Sequence, residues 1–298
     1  MKHLHLKLSS SSISKWFSCA LAGYRRYVEA LTTNFESEKM EFGSAIHLAL
    51  CNPAKEIEVI EEFYKTSGLC VKLPDEDLSL AHAKMLVSKY IERYGRFEKI
   101  EAEKSLEMIV YNSRHRRVDD LEYKLTVVYC GTLDGIVSSN KILEYKTTAS
   151  LKDILFDRIM PNSQFVGYWW LAIQNSYDIK SFILSGLSNK FSILSPKGRT
   201  KKTREELDQE LFQRWEFQIS DWQLSEWLEN TKQKSLLIAD SIMQDRLTTN
   251  DPDSCSNYNR RCSYAALCNS VPDRREEMKD LLFQKKPYGN FEVRIEEE

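Results

Sequence analysis

Gly131-Thr132-Leu133-Asp134-Gly135-Ile136-Val137, a polar break at Ser138-Ser139-Asn140-Lys141, then Ile142-Leu143-Glu144-Tyr145-Lys146-Thr147-Thr148 is the stretch that decides the fold. Apolar residues on either side of a turn-like break predict two strands closed as a hairpin. Side chains alternate faces along a strand, so Glu144 and Lys146 share one side, and Asp134 can lie beside them across the hairpin. Two carboxylates and one ammonium on a single face can hold a hard divalent cation and steady a water next to it. Surface charge on an exposed strand pair gives the same D-x9-E-x-K pattern. Charges flanked by buried strand residues, however, need a reason.

Around this hairpin the chain has the balance of an ordinary soluble globular protein, with 42% hydrophobic and 29% charged residues among 298. No apolar run approaches the roughly 18 residues of a membrane span, so no membrane partner is expected. Met1-Lys2-His3-Leu4-His5 leads into a serine run without a signal-peptide core, which predicts an intracellular, cytoplasmic protein. A net charge of −2 offers no bulk attraction for nucleic acid. Any such binding must come from local basic residues, for which Arg25, Arg26, Arg114, Arg116, Arg117, Lys197, Arg199, Lys201 and Lys202 are candidates; each also reads as solvated surface. Seven cysteines without a secretory signal argue for thiols, some of them metal ligands, rather than a disulfide framework.

Ser9 to Ser14 supplies N-cap hydroxyls to a helix whose stripe is Ile13, Trp16, Phe17, Ala20 and Leu21, with Cys19 inside it. A second helix carries Gly43, Ser44 and Ala45, small enough for close approach to another backbone, with His47 one turn on; Asn52-Pro53 ends it. On a packed helix a lone histidine also reads as a satisfied core residue. Pro74 to Tyr94 predicts an amphipathic helix with His82 on its surface. Strands follow at Leu106–Val110 and Leu121–Cys130, with Arg114 to Arg117 in their connection. Beyond the hairpin, a helix from Ser163 places Gln164 and Tyr168 four apart on one face. Ile179–Leu187, Phe191–Leu194 and Trp215–Ile219 predict further strands, the last followed by a helix from Asp221 to about Arg246; residues 197–202 form a basic loop. After Lys279 only a short terminal strand is indicated.

Phosphodiester hydrolysis needs charge neutralised on the phosphate, a hydroxide made near neutral pH and a stabilised leaving oxygen. A magnesium or manganese ion supplies all three through oxygen-rich coordination. Asp134, Glu144 and the Tyr145 carbonyl are suitable ligands, Lys146 a suitable water-positioning group, and His47 a further ligand that would bias the site toward manganese. The later cysteines read C-x6-C-x5-C at Cys255, Cys262 and Cys268, a poor fit to the short knuckles of zinc ribbons. With Cys19 they make a four-cysteine set suited to an iron–sulfur cluster, a cross-link between distant parts of the chain. Zinc stays open as the alternative.

Gly43-x-x-x-His47, Asp134, Glu144-x-Lys146 and Gln164-x-x-x-Tyr168, in that order, resemble the RecB-like branch of the PD-(D/E)XK nuclease superfamily. Cys19 with C-x6-C-x5-C resembles that branch's AddB-like iron–sulfur subgroup, which includes CRISPR-associated RecB-like and phage-encoded exonucleases. The likeness spans about Ser10 to Cys268. It implies an α/β, restriction-endonuclease-like central mixed sheet flanked by helices, with N- and C-terminal helical segments joined by a four-cysteine cluster. His47, Asp134 and Glu144 would bind the metal and Lys146 assist the water. Gln164 and Tyr168 would contact DNA, and Cys19, Cys255, Cys262 and Cys268 would hold a structural [4Fe–4S] cluster. Leu143 and Tyr145 flank Glu144 where the family often has an aspartate or valine, and no helicase motif is present.

The chain is therefore expected to be one nuclease domain over 1–298: a helical part to 100, the catalytic core over 101–220, a helix and cysteine cluster over 221–270, and a tail. The expected activity is exonucleolytic, on single-stranded DNA or DNA ends, in repair, recombination or phage- or CRISPR-type processing beside a helicase or recombination partner in a bacterial or phage setting. A non-catalytic DNA-binding or adaptor subunit on the same fold is the alternative.

Overall fold

Leu4, Leu6 and Leu8 alternate with His3, His5 and Lys7, and in the computed structural model this alternation is a strand with its leucines buried. The structure describes residues 1–33, 38–67, 78–97, 100–138, 140–149, 151, 162–190, 203–247, 255–257, 260–287, 289 and 291–297. From that strand, β1 (Lys2–Leu8), the chain runs through α1 (Ser10–Ser18), α2 (Ala20–Tyr27), β2 (Leu31–Thr33), α3 (Glu38–Leu50), α4 (Glu56–Thr66) and α5 (Leu80–Tyr94). Next come β3 (Ile100–Val118), β4 (Leu121–Val137), β5 (Lys141–Thr148), α6 (Ser163–Gln174), β6 (Ser181–Ser188), α7 (Arg204–Leu211) and β7 (Phe212–Phe217). The remainder is α8 (Asp221–Met243), β8 (Ser256–Asn257), β9 (Arg260–Arg261), α9 (Ala265–Asn269), α10 (Arg275–Leu282), β10 (Phe283–Lys285) and β11 (Glu292–Glu297). Mixed strands flanked by helices make this an α/β fold, as expected. No described helix is long and apolar enough to cross a membrane.

Contacts divide the chain into two units, Met1–Phe35 with Glu107–Gly131 and Asp221–Glu298, and Glu36–Leu106 with Thr132–Ser220. In the first, β1 pairs parallel with the opening part of β4, Leu4 facing Leu125, and antiparallel with β11, Leu4 facing Ile295. Tyr123, Leu125, Val127 and Tyr129 join the leucines of β1 in the core, and α8 sets Trp227 edge-on to Tyr129 at 5.0 Å. Arg116 grips Asp240 of α8 with Nε at 2.8 Å and Nη2 at 2.5 Å, while the Tyr123 hydroxyl donates to the same carboxylate at 2.7 Å.

The second unit holds the end of β4, antiparallel to β5, then β6 parallel to β5 and β7 antiparallel to β6. All of β6 is buried, as a central strand covered on both faces should be. Helices α3, α4 and α5 bury Phe42, Ile46, Ile60, Leu86 and Tyr90 against Tyr145 and Phe212.

Several expectations need correction. Leu121–Cys130 and the first arm of the hairpin are one continuous strand, and Arg114 to Arg117 lie on β3, since the turn comes only at Asp119-Asp120. The first helix breaks at Cys19, whose backbone is extended, and Phe17 is exposed where α1 ends. His82 is wholly buried: its Nδ1 accepts the Leu78 N–H at 3.2 Å and its ring lies 5.2 Å from Phe42, satisfying a backbone donor just ahead of α5. The helix from Asp221, for which Trp222, Leu224, Trp227, Leu228, Leu236, Leu237 and Ile242 form the expected apolar set, exposes Trp222 and Leu237 and buries Thr231 and Ser235 instead. The strand near Trp215 is β7, the terminal strand expected after Lys279 is β11, and the sequence carried no sign of α4. The Phe191–Leu194 strand and the basic loop 197–202 lie outside the described residues.

Candidate active site

Strand pairing sets the spacing of the acidic residues. The β4–β5 ladder runs from Val137–Lys141 to Gly135–Leu143, so Asp134 and Glu144 are the next residues to face one another. There Asp134 Oδ2 accepts the Tyr145 N–H at 2.7 Å, a side chain closing a backbone donor where the ladder ends. The Cys51 thiol donates to the Asp134 carbonyl at 2.9 Å and fixes that backbone. Glu144, on a strand buried against β6, is 3% exposed.

α3 brings the histidine. A Cβ at Gly43 would stand 2.6 Å from Thr147 Oγ1 of β5, so any larger residue here would have to displace the Thr147 side chain. One turn on, His47 Nδ1 lies 3.3 Å from Asp134 Oδ2. On the other side Lys146 Nζ donates to Glu144 Oε1 at 2.6 Å and to Gln164 Oε1 at 3.3 Å, and Gln164 Nε2 donates to the Tyr168 hydroxyl at 2.7 Å. Asn162 caps α6 by accepting the Gln164 N–H, and Lys146 Nζ lies 5.9 Å from the centre of the Phe165 ring. The structure thus gathers His47, Asp134, Glu144, Lys146, Gln164 and Tyr168 within one unit.

The electrostatics are those of charges held out of water. Burial pushes Glu144 up to about 7; Lys146 opposes the shift and Asp134 reinforces it. Burial also works against ionising Asp134, but His47 beside it, the Tyr145 N–H and Lys146 outweigh that and hold it below the usual carboxylate range. Lys146 is raised: burial alone would lower it, and the Glu144 charge and hydrogen bond win.

A divalent cation fits this donor set. His47 Nε2 and Glu144 Oε2 are buried with no hydrogen-bond partner, which a folded protein tolerates where another ligand is to satisfy them. The ligand atoms of His47, Asp134 and Glu144 do not all lie within 4.8 Å of one another, Glu144 being drawn toward Lys146.

Sequence reasoning missed Thr147, which the close approach of Gly43 makes part of the site's scaffold. It also missed Tyr90, which links Arg214 to Ser185 behind Tyr145 by accepting from Nη2 at 2.5 Å and donating to Oγ at 2.7 Å. A buried tyrosine in an amphipathic helix carries no local sign of such a partner.

In the first unit, Cys19 and Cys262 pack on one apolar cluster of Ala22, Leu31, Tyr264, Leu267 and Phe283. The Cys262 N–H bonds the Cys255 carbonyl at 2.7 Å. Arg25 donates from Nη1 to Cys268 Sγ at 3.0 Å and to the Tyr264 carbonyl at 3.3 Å. The four cysteines therefore occupy one neighbourhood, all partly exposed and none in a disulfide. Two candidate phosphate contacts are corrected here: Arg25 is buried against Cys268, and Arg116 is engaged by Asp240. Arg26 bonds Thr32, Arg117 bonds the Asp119 carbonyl, and Arg114 is exposed.

No curated protein matches the chain. Among solved structures, an Eubacterium rectale protein named provisionally as an exonuclease is 13% identical, with 89% of this chain and 88% of that one covered and a TM-score of 0.49. A phage-related exonuclease from Haemophilus somnus 129PT is 12% identical over 81% of this chain and 96% of that one, with a TM-score of 0.30. An alkaline exonuclease from Laribacter hongkongensis is 11% identical over 70% and 96%, with a TM-score of 0.29. Likenesses of this depth carry no argument about activity. The family profile described as the PD-(D/E)XK nuclease superfamily matches residues 7–269, most of the chain and all of the site, and the chain belongs to that superfamily.

Proposed function

We propose that the chain is a divalent-metal-dependent DNA nuclease, acting as an exonuclease on single-stranded DNA or DNA ends. The observation that carries this reading is buried Glu144 facing partly buried Asp134, with Lys146 beside it and two ligand atoms, His47 Nε2 and Glu144 Oε2, left unpartnered. His47, Asp134, Glu144 and the Tyr145 carbonyl would hold magnesium or manganese, which when bound supplies phosphate neutralisation and an acidified water. Lys146, tied to Glu144 and Gln164, orients the attacking water. Gln164 and Tyr168 present an amide and a hydroxyl to the DNA strand. The service fits DNA repair, recombination or phage- or CRISPR-type processing, with a helicase or recombination protein as partner.

Cys19, Cys255, Cys262 and Cys268 hold a [4Fe–4S] cluster in this reading. The Arg25 guanidinium on Cys268 Sγ supports it, since a cationic donor suits a thiolate ligand.

End-labelled single- and double-stranded DNA, digested with manganese or magnesium, tests the activity. Asp134→Ala and Lys146→Ala should each lose cleavage at least a hundredfold with an unchanged circular-dichroism spectrum; full activity in either sinks the proposal. Tight DNA binding without cleavage by the unsubstituted chain would instead mark a non-catalytic adaptor. Anaerobic purification should give a brown protein that Cys262→Ala renders colourless; a colourless, zinc-loaded preparation would replace the cluster with zinc.

A further inference from the structure

Apart from the nuclease and cysteine sites, the first unit places His3, His5 and Glu296 together, with one ligand atom from each lying within 4.8 Å of the others. We propose that these three residues bind one divalent transition-metal ion, zinc above all, and so fasten β11 to β1.

The register makes the cluster. His3 and His5 are two apart on β1 and point to the same face, their rings 3.8 Å between centroids. β11 lies antiparallel beside β1 with Glu296 directly opposite His3, so its carboxylate shares that face. His5 Nε2 is 3.5 Å from Glu296 Oε2. Two ligands of one tetrahedral zinc, each about 2.05 Å from the metal, stand about 3.4 Å apart. The pair already has the separation that a shared ion requires.

The remaining atoms are arranged to suit it. His5 Nε2 is buried and makes no hydrogen bond, so a lone pair there awaits an acceptor of electrons. His3 Nε2 stands 3.0 Å from Thr126 Oγ1 on β4, a neighbour of His5 in the β1–β4 register. When that nitrogen carries the proton and donates to Thr126, the bond fixes the ring, as outer-shell partners do for metal-binding imidazoles. Arg294, opposite His5, is the nearby cation that would compete for Glu296. It lies 3.5 Å from that carboxylate but 2.9 Å from Glu292, which keeps it occupied. Side chains 35% and 49% exposed at His5 and Glu296 leave the ion a route in and one position for water.

Two imidazoles and one carboxylate favour zinc, nickel or copper over magnesium or calcium. The ion would close a very long loop, where a cross-link restricts the unfolded chain most, and would stabilise the fold in proportion to its occupancy.

The test is calorimetric titration of the chelator-treated full chain with zinc in an Asp134→Ala background, which weakens competition from the nuclease site. The same chain with His5→Ala or Glu296→Gln added is titrated in parallel, so the cysteines are common to all samples. Each added substitution should remove one bound equivalent per chain, along with the part of the zinc-induced rise in Tm that depends on it. Equal stoichiometry and equal Tm shifts in parent and variants overturn the proposal. Should His5→Ala fail to fold, His3→Gln is read in the same way. Binding is measured without cleavage, so the outcome stands apart from the nuclease reading.

Discussion

Glu144 is held in surroundings that disfavour its charge. A carboxylate 3% exposed, sharing its site with Asp134, is stabilised in the absence of metal chiefly by Lys146, with a smaller contribution from His47. Glu144→Gln removes the charge while keeping the shape. In metal-free buffer at pH 8 this variant should melt several degrees above the parent, by about 1–2 kcal/mol, and should have lost cleavage; an equal or lower Tm would show that Lys146 compensates the charge in full. The pairing of Glu144 with Lys146 was legible in the sequence because strand alternation fixes which neighbours share a face. The burial of His82 was not, because its partner is a backbone N–H at Leu78 that only the chain's turn into α5 brings to it.

At the scale of elements, the site depends on how closely α3 lies to β5. Gly43→Ala would drive a methyl group into Thr147 Oγ1 and displace His47, so cleavage should fall about tenfold or more. Thr147→Ala removes that oxygen, and the next nearest atom, Thr147 Cβ, is 3.9 Å from the added methyl. The double variant should therefore recover most of the lost rate; a double variant no better than Gly43→Ala alone would place the damage elsewhere. The small residues announced a close approach, but not which strand would receive it.

A second element, α4, carries a pH signature. Glu56, 4% exposed at its first turn, accepts from Arg96 Nε at 2.6 Å. Burial alone would raise this carboxyl, and the Arg96 bond, with backbone bonds, lowers it below its ordinary 4.5. A depressed carboxyl stabilises the fold above that value and ceases to do so as pH falls through its lower folded pKa. The Tm gap between the parent and Arg96→Gln should be widest above pH 4.5 and close as the sample is acidified. A gap independent of pH would assign Arg96 a packing role only.

For the whole molecule, the order of motifs along the chain led to the fold class through the likeness to the PD-(D/E)XK nucleases that those motifs carry. Strand lengths were not legible: turn-like polar residues at Arg114 to Arg117 lie inside β3, where the Arg116–Asp240 pair makes a charge compatible with a strand. Nor was the strand beginning at Lys2, because a histidine- and lysine-bearing alternation resembles a polar terminus until its leucines have a sheet to enter. The same accounting of charges narrows the DNA contacts, as Arg25 and Arg116 are committed internally in a chain of net charge −2.

The division of the chain into 1–35, 107–131 and 221–298 on one hand and 36–106 and 132–220 on the other has a practical consequence. The polypeptide alternates between the two sets at four points, and β3 and β4 are each cut by a boundary. Neither set is a contiguous fragment, so no truncation from either terminus yields one of them by itself. A shortened clone that loses cleavage would say nothing about which part does the cutting; substitutions in the intact polypeptide are the means of assigning it.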